Sequence, residues 1–215
     1  MKTLIYLSNN WNLTKRNAKL FYLSALAFLL SIQSFGQELL TLDQLDTVRV
    51  FTSIEEATKR PLEVYRLELK KEKLKEIPSE IYQFKNLQYL DLSKNKIDTF
   101  PAQLAELTYL QVLNLSRNEL NYLTEAIGNI TNLIVLRAGN NYLWEIDKSI
   151  GNLKRLEILD LWANRLIILP ETLQDLKTLK EIDMRVNPVK REVQEELQEY
   201  LPNCVMHFSN DCNCY

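Results

Sequence analysis

The stretch "LQYLDLSKNKIDTFP", residues 87–101, contains the pattern that decides the fold. Leu90 and Leu92 alternate with polar neighbours, as in a strand that is buried on one face. Asn95 follows three positions later, before another apolar residue and a proline. A single stretch does not explain the asparagine, but the same stretch recurs along the chain and the recurrence explains it.

The recurrence has a constant step of 23 residues. The first apolar position of the unit is occupied in turn by Val64, Leu87, Leu110, Leu133, Leu156 and Leu179. The polar position is occupied by Glu72 in the first unit and then by Asn95, Asn118, Asn141, Asn164 and Asn187. One unit is too small to bury its own leucines, so six units in phase must stack on one another.

The recurring asparagine is predicted to be structural. Its amide group carries both donors and an acceptor, so it can satisfy backbone groups that turn inward after the strand in its own unit and in the next. Stacked copies therefore predict a continuous row of amide side chains, which we call the Asn ladder. Glu72 interrupts the row, as expected of an end unit with only one neighbour.

The full pattern, LxxLxLxxNxLxxLPxxIxxLxx, covers roughly residues 64–189 and resembles the leucine-rich repeat. The 23-residue Leu-Pro form is similar to the bacterial and Ras-group-related types. The resemblance implies an α/β fold, a right-handed solenoid shaped as an arc, with a concave parallel β-sheet and a cap at each end. It also implies a non-enzymatic protein that binds another protein through the concave face.

Residues 1–36 differ in composition from the rest of the chain. They hold four basic residues and no acidic one, then an apolar run over residues 20–32 and the small residues Ser34 and Gly36. This order predicts a secretory signal cleaved before Gln37, and hence an exported protein. The run is shorter than the roughly 20 residues that span a bilayer, so no membrane span is expected in the mature chain. A buried helix or an uncleaved anchor is the alternative, and a cytoplasmic signalling scaffold would follow if residues 1–36 are not a signal.

The ends of the stack require caps. Residues 37–63 are predicted to form an N-terminal segment and a helical cap, because Ser53 and Glu56 have capping-box spacing. Residues 37–52 fit either a linker or a first strand. Residues 190–215 are predicted to form a cap helix, a short strand and a tail that contains cysteines. The helix carries an apolar stripe at a spacing of four, formed by Val189, Val193, Leu197 and Leu201.

Three cysteines lie in the last part of the chain, at Cys204, Cys212 and Cys214. In an exported protein, a disulfide from Cys204 to Cys212 or Cys214 would pin the tail. Free thiols are one alternative. A zinc site that adds His207 is another, but the C-x-C spacing lacks the usual two-residue separation of zinc ligands.

The composition excludes several classes of function. The four glycines are too dispersed for a phosphate-binding loop, and the single histidine, His207, leaves little material for acid–base catalysis. No cofactor is expected. Without residues 1–36 the chain has 22 basic and 28 acidic residues, a formal charge of −6, which disfavours nucleic acid and anionic membrane as partners.

Strands stacked in register would place the variable residues in columns on the concave sheet. Towards the C-terminal half these columns bring together residue types that dominate protein interfaces. The predicted partner-binding residues are Trp162, Tyr142, Arg137, Arg185 and Asp160. The competing interpretation is that Arg137 only neutralises Asp160 on the next strand and that Trp162 lies flat over Gly139. A glycan stacked on the aromatic rings is the alternative ligand to a protein.

Overall fold

The computed structural model describes residues 38–209. Ten short strands occur in this part of the chain: β1 Val50–Phe51, β2 Arg66–Glu68, β3 Tyr89–Asp91, β4 Val112–Asn114, β5 Tyr122–Leu123, β6 Val135–Arg137, β7 Glu145–Ile146, β8 Ile158–Asp160, β9 Glu181–Asp183 and β10 Val205–His207. The α-helices are α1 Leu42–Thr47, α2 Ile54–Thr58 and α3 Arg191–Tyr200. The 3₁₀ helices are Pro61–Glu63, Ser79–Gln83, Ala102–Glu106, Glu125–Asn129, Lys148–Asn152 and Glu171–Asp175.

Eight of the strands form one parallel sheet in the order β1-β2-β3-β4-β6-β8-β9-β10. From β2 to β9 each residue pairs with the residue 23 positions further on, as in Leu90 with Leu113 and Leu113 with Leu136. The constant register means that the sequence period is also the spatial period. The α/β solenoid expected from the repeat is therefore confirmed.

The core is one continuous stack of leucines. The central residue of each repeat strand points inward and is fully buried, as in Leu90, Leu113 and Leu136. The 3₁₀ helix on the opposite side of each unit contributes a second buried row, which includes Leu104 and Ile127. Each unit covers the apolar edge of the unit before it, so no unit is buried by itself.

The side chain of Asn118 shows how the asparagines are used. Its Nδ2 donates to the carbonyl oxygens of Leu115 at 2.9 Å and of Leu92 in the preceding unit at 3.0 Å. Its Oδ1 accepts from the N–H of Ile97 at 3.1 Å. The same three bonds recur at the other positions of the Asn ladder, namely Asn95, Asn141, Asn164 and Asn187.

The residue before each ladder asparagine has a left-handed backbone, which turns the chain from the strand into the loop. These residues are Lys94, Arg117, Asn140, Ala163 and Val186, with φ between 52° and 61°. None is glycine, and such angles are uncommon for other residues. The hydrogen bonds of the asparagine side chains described above stabilise this turn in each unit that has a ladder asparagine.

Both ends of the stack are covered. At the N-terminal end, β1 extends the sheet, and Ala57 of α2 is fully buried against the first unit. The Ser53 side chain accepts from the N–H of Glu56 at the start of α2. Residues 37–52, for which the sequence left linker and strand open, contain both α1 and β1. At the other end, β10 pairs with β9, and Leu197 of α3 joins the core.

Several expectations fall on residues outside those described. The signal segment 1–36 lies there, and so do Cys212 and Cys214, so cleavage and the disulfide stay predictions. Cys204 is a free thiol within the described part, and burial raises its pKa to about 11. Between residues 38 and 209 no cluster of three metal-ligating side chains occurs, and no helix has the length and apolar character to cross a membrane.

Candidate functional site

The N-terminal half of the sheet surface is neutralised by its own ion pairs. Arg66 contacts Asp46 and Glu68, both at 2.7 Å. Lys70 contacts Glu68 at 2.8 Å and Asp91 on the next strand at 3.3 Å. These side chains form one connected network, and their charges are directed at each other. The strand residues of this half are therefore paired with each other, whereas the exposed lysines Lys71, Lys73, Lys94 and Lys96 in the turns after the strands form no ion pair among residues 38–209.

Trp162 dominates the C-terminal half of the sheet surface. It is the second residue after β8, and its indole covers Gly139 of the preceding unit. A Cβ atom at Gly139 would lie 2.2 Å from Cδ1 of the indole and 2.4 Å from Nε1. The ring thus occupies the space that a side chain would fill at this position. Trp162 is half-buried and packs on its neighbour, as in the competing interpretation that it lies over Gly139.

Asp160 and Arg137 are neighbours in register, on β8 and β6. Arg137 nevertheless forms no ion pair within 4.0 Å among residues 38–209, so the competing interpretation that it neutralises Asp160 is not supported by a direct contact. Burial raises the pKa of the Asp160 carboxyl, and the nearby Asp183 raises it further. The backbone N–H of Trp162, which donates to Asp160 Oδ1 at 3.2 Å, lowers this pKa, and so does the positive charge of nearby Arg137.

Arg185 is engaged by its own strand. Its Nε donates to both carboxylate oxygens of Asp183, at 3.0 and 3.1 Å. A groove of about 490 Å³ lies beside this pair and is lined by Asp160, Trp162, Asp183, Arg185 and Val186. Three of the five predicted residues therefore line one groove, and Arg137 lies in register next to it.

Tyr142 lies apart from this groove. Its ring is covered by the guanidinium of Arg165, whose central carbon is 4.6 Å from the ring centroid. Tyr142 follows a ladder asparagine and therefore stands where the chain leaves the sheet surface. The site predicted from the sequence thus divides into a groove at Trp162 and a separate aromatic–cation pair at the edge of the sheet.

A second surface was not identified from the sequence. Trp144, Ile167 and Ile168 are exposed on the side of the solenoid, beyond the turn that contains the Asn ladder, and we call them the lateral patch. Sequence reasoning considered only the columns of the strands, and these residues lie three or four positions after the ladder asparagine. The period nevertheless contained a signal, because Asn121 and Asp98 occupy the position of Trp144 in the two preceding units.

Replacing Gly139 with alanine is expected to displace the indole of Trp162. The added methyl group would overlap the ring, and overpacking of this kind costs about 1–3 kcal/mol unless the ring moves. Because the contact is with a side chain, we expect movement of the ring and a loss near the lower figure. The indole N–H resonance of Trp162 should shift in an NMR spectrum. Ser116→Ala, at the equivalent position one unit earlier, is the control, and equal spectra for the two variants would contradict the contact.

A family model described as a leucine-rich repeat region matches residues 61–209. The chain belongs to the leucine-rich repeat family. Proteins of this family are typically protein-interaction modules rather than enzymes. No curated protein sequence matches the chain.

Solved structures of other leucine-rich repeat proteins resemble this chain. A leucine-rich repeat protein of Leptospira interrogans is 36% identical, with a TM-score of 0.61 and coverage of 67% of this chain and 36% of that one. Internalin C2 of Listeria monocytogenes is 26% identical, with a TM-score of 0.59 and coverage of 69% and 62%. The ectodomain of the Arabidopsis thaliana receptor kinase GASSHO1/SCHENGEN3, solved with Casparian strip integrity factor 2, is 31% identical, with a TM-score of 0.54 and coverage of 60% and 16%. The match thus spans less than two thirds of each of these proteins.

Proposed function

We propose that this leucine-rich repeat protein is an exported, non-enzymatic module that binds a protein partner on its concave face, at the groove beside Trp162. The observation that carries the proposal is the arrangement of charge. Arg66, Lys70 and Arg185 are paired with carboxylates, whereas Arg137 is not. Arg137 therefore remains available to a carboxylate on a partner.

The apolar part of the site favours a partner in the same place. Trp162 is held against Gly139 and half-buried, so its orientation is fixed before binding and little side-chain entropy is lost. Trp and Arg are the residue types that most often carry binding energy at protein interfaces. A partner segment with an acidic side chain for Arg137 and an apolar one for Trp162 would match the groove.

Other features support the remaining parts of the proposal. The order of basic and apolar residues in 1–36 favours export, and one of the similar solved structures is the ectodomain of a membrane receptor kinase. The only histidine of the chain is His207, and its Nε2 lies 3.1 Å from Oε1 of Glu181 on the neighbouring strand. This contact is explained by pairing between strands and does not require a catalytic role. A glycan ligand is less well supported, because Trp162 and Tyr142 do not form a continuous row of exposed rings.

The test is the effect of Trp162→Ser on affinity for a partner identified by crosslinking in the native host. We expect a loss of about 2 kcal/mol, which is roughly 30-fold in dissociation constant. Lys71→Asn is the control, because Lys71 is an exposed residue at the basic end of the repeats and asparagine tolerates its left-handed backbone (φ 63°). Both variants should fold as the wild type does. A tenfold loss with the lysine variant and none with the tryptophan variant would move the site to the N-terminal end.

A further inference from the structure

The fold does not require apolar residues at the positions of the lateral patch. The position of Ile168 is occupied in the three preceding units by Thr99, Tyr122 and Glu145, all of which carry polar groups. The position of Trp144 is occupied by Asp98 two units earlier and by Asn121 one unit earlier. Those units have the same strand and the same 3₁₀ helix. Ile168 is nevertheless 73% exposed and Trp144 57% exposed. Apolar side chains left in water at positions that the fold fills with polar ones indicate a contact surface.

The ring of Trp144 is held in place. It stacks on Tyr122 of the preceding unit, with ring centroids 6.1 Å apart and planes 23° apart. The hydroxyl of Tyr122 in turn lies 3.2 Å from Oδ2 of Asp147. A large exposed ring with a fixed orientation can be buried by a partner at a small cost in side-chain entropy.

A groove opens beside this ring because the small sheet of β5 and β7 is not continued. Asp147 donates its N–H to the carbonyl of Leu123, which ties its unit to the one before. The equivalent residue one unit later is Pro170, which has no N–H and cannot make the same bond to Ile146. A groove of about 530 Å³ lies here between the two units, with the apolar lining residues Trp144, Ile146, Ile167, Ile168, Leu169 and Pro170.

The rim of the groove carries both signs of charge. Glu145, Lys148 and Arg165 line it, and none of the three forms an ion pair within 4.0 Å in the described part of the chain. Asp147, which also lines it, is hydrogen-bonded to Ser149 and Tyr122, and Arg165 lies over the ring of Tyr142. The lateral patch therefore offers a groove, projecting apolar side chains that can fill a groove, and charges of both signs without an ion-pair partner in the described part of the chain. A surface with both halves of each complementary pair can contact a second copy of itself across a two-fold axis.

We propose that the occupant of the lateral patch is a second copy of this chain, which forms a two-fold dimer. Ile168 of each copy enters the groove of the other, and Glu145 of each copy faces Arg165 of the other. The concave face lies on a different side of each unit and stays open in this dimer. The proposal is thus independent of the partner at Trp162.

The first test is the mass of the full chain by sedimentation equilibrium over a range of concentrations. We expect the wild type to dimerise and Ile168→Lys to weaken the association by about tenfold or more. Thr99→Lys, at the same position of an earlier unit, is the matched control and should dimerise as the wild type does. Both sites are exposed, so both variants should fold, which circular dichroism checks.

The second test reverses the charges on the rim. Glu145→Arg alone and Arg165→Glu alone should each weaken the dimer, because like charges then meet at both contacts. An equimolar mixture of the two variants should associate again, because every new arginine then faces a glutamate and every new glutamate an arginine. Restoration in the mixture requires the two residues to face each other between copies.

A wild-type chain that stays monomeric at every concentration would overturn the proposal and assign the lateral patch to a different protein. A dimer that Ile168→Lys and Thr99→Lys affect equally would also overturn it, because the contact would then lie elsewhere on the chain. Restoration in the charge mixture together with loss in Ile168→Lys would establish it.

Discussion

The Leu113→Ala chain is expected to be less stable than the wild type by about 2–5 kcal/mol, measured by urea unfolding followed by circular dichroism. Leu113 is the central residue of β4, is fully buried and lies in register between Leu90 and Leu136. Shortening it removes contacts on both sides at once and leaves a cavity that rigid neighbouring units close poorly. A repeat stack also transmits the loss, since each unit is stabilised only by the two beside it.

The matched control is Leu62→Ala. Leu62 has the same side chain but is 69% exposed, in the 3₁₀ helix Pro61–Glu63. Its replacement should change the free energy of unfolding by no more than about 0.5 kcal/mol. Similar losses at Leu62 and Leu113 would be incompatible with the stacked core described above.

The Asn118→Ala chain is expected to lose about 1–3 kcal/mol in the same measurement. The alanine leaves two carbonyl groups and the N–H of Ile97 without the partners that the amide supplied. Water cannot replace all of them, because Asn118 is buried. The cost is that of stranded polar groups and not of lost apolar contact.

Asn121→Ala is the control for that change. Asn121 is an exposed asparagine three residues further on, and its side chain makes one hydrogen bond among the described residues, to the carbonyl of Glu119 at 3.2 Å. We expect its replacement to be close to neutral. If both asparagine variants unfold at the same denaturant concentration as the wild type, the Asn ladder does not stabilise the turns.

The fold was predictable because a single sequence period of 23 residues determines how the repeat strands pair. The spacing from Leu90 to Leu113 is both a step in the sequence and a pair in the sheet, so the period alone gave the strands, their order and their register. The direction of the Asn118 amide followed from the need of turning backbone groups for partners. The capping box at Thr41 and Gln44, which starts α1, was missed because no repeat surrounds it and residues 37–52 carried no other signal.

The site was less predictable, because columns give positions but not side-chain directions. Arg185 and Trp162 belong to one column, yet the side chain of Arg185 contacts Asp183 two residues earlier and that of Trp162 contacts Gly139 of the preceding unit. The period does not predict which neighbouring residue the side chain of Arg185 or of Trp162 contacts. Trp144 was missed for a different reason. It lies on the side of the solenoid, outside the columns that the strands form.

The one-to-one register between units has a consequence for how such a chain changes by duplication. An internal copy of 23 residues would shift every later unit by one strand spacing, about 4.8 Å, and leave each side chain in its column. A copy of 22 or 24 residues would move the leucines out of the buried stack and leave the asparagine side chains without their backbone hydrogen-bond partners. Whole units are therefore the natural increment of length, and a surface such as that around Trp162 can be moved away from α2 without being rebuilt.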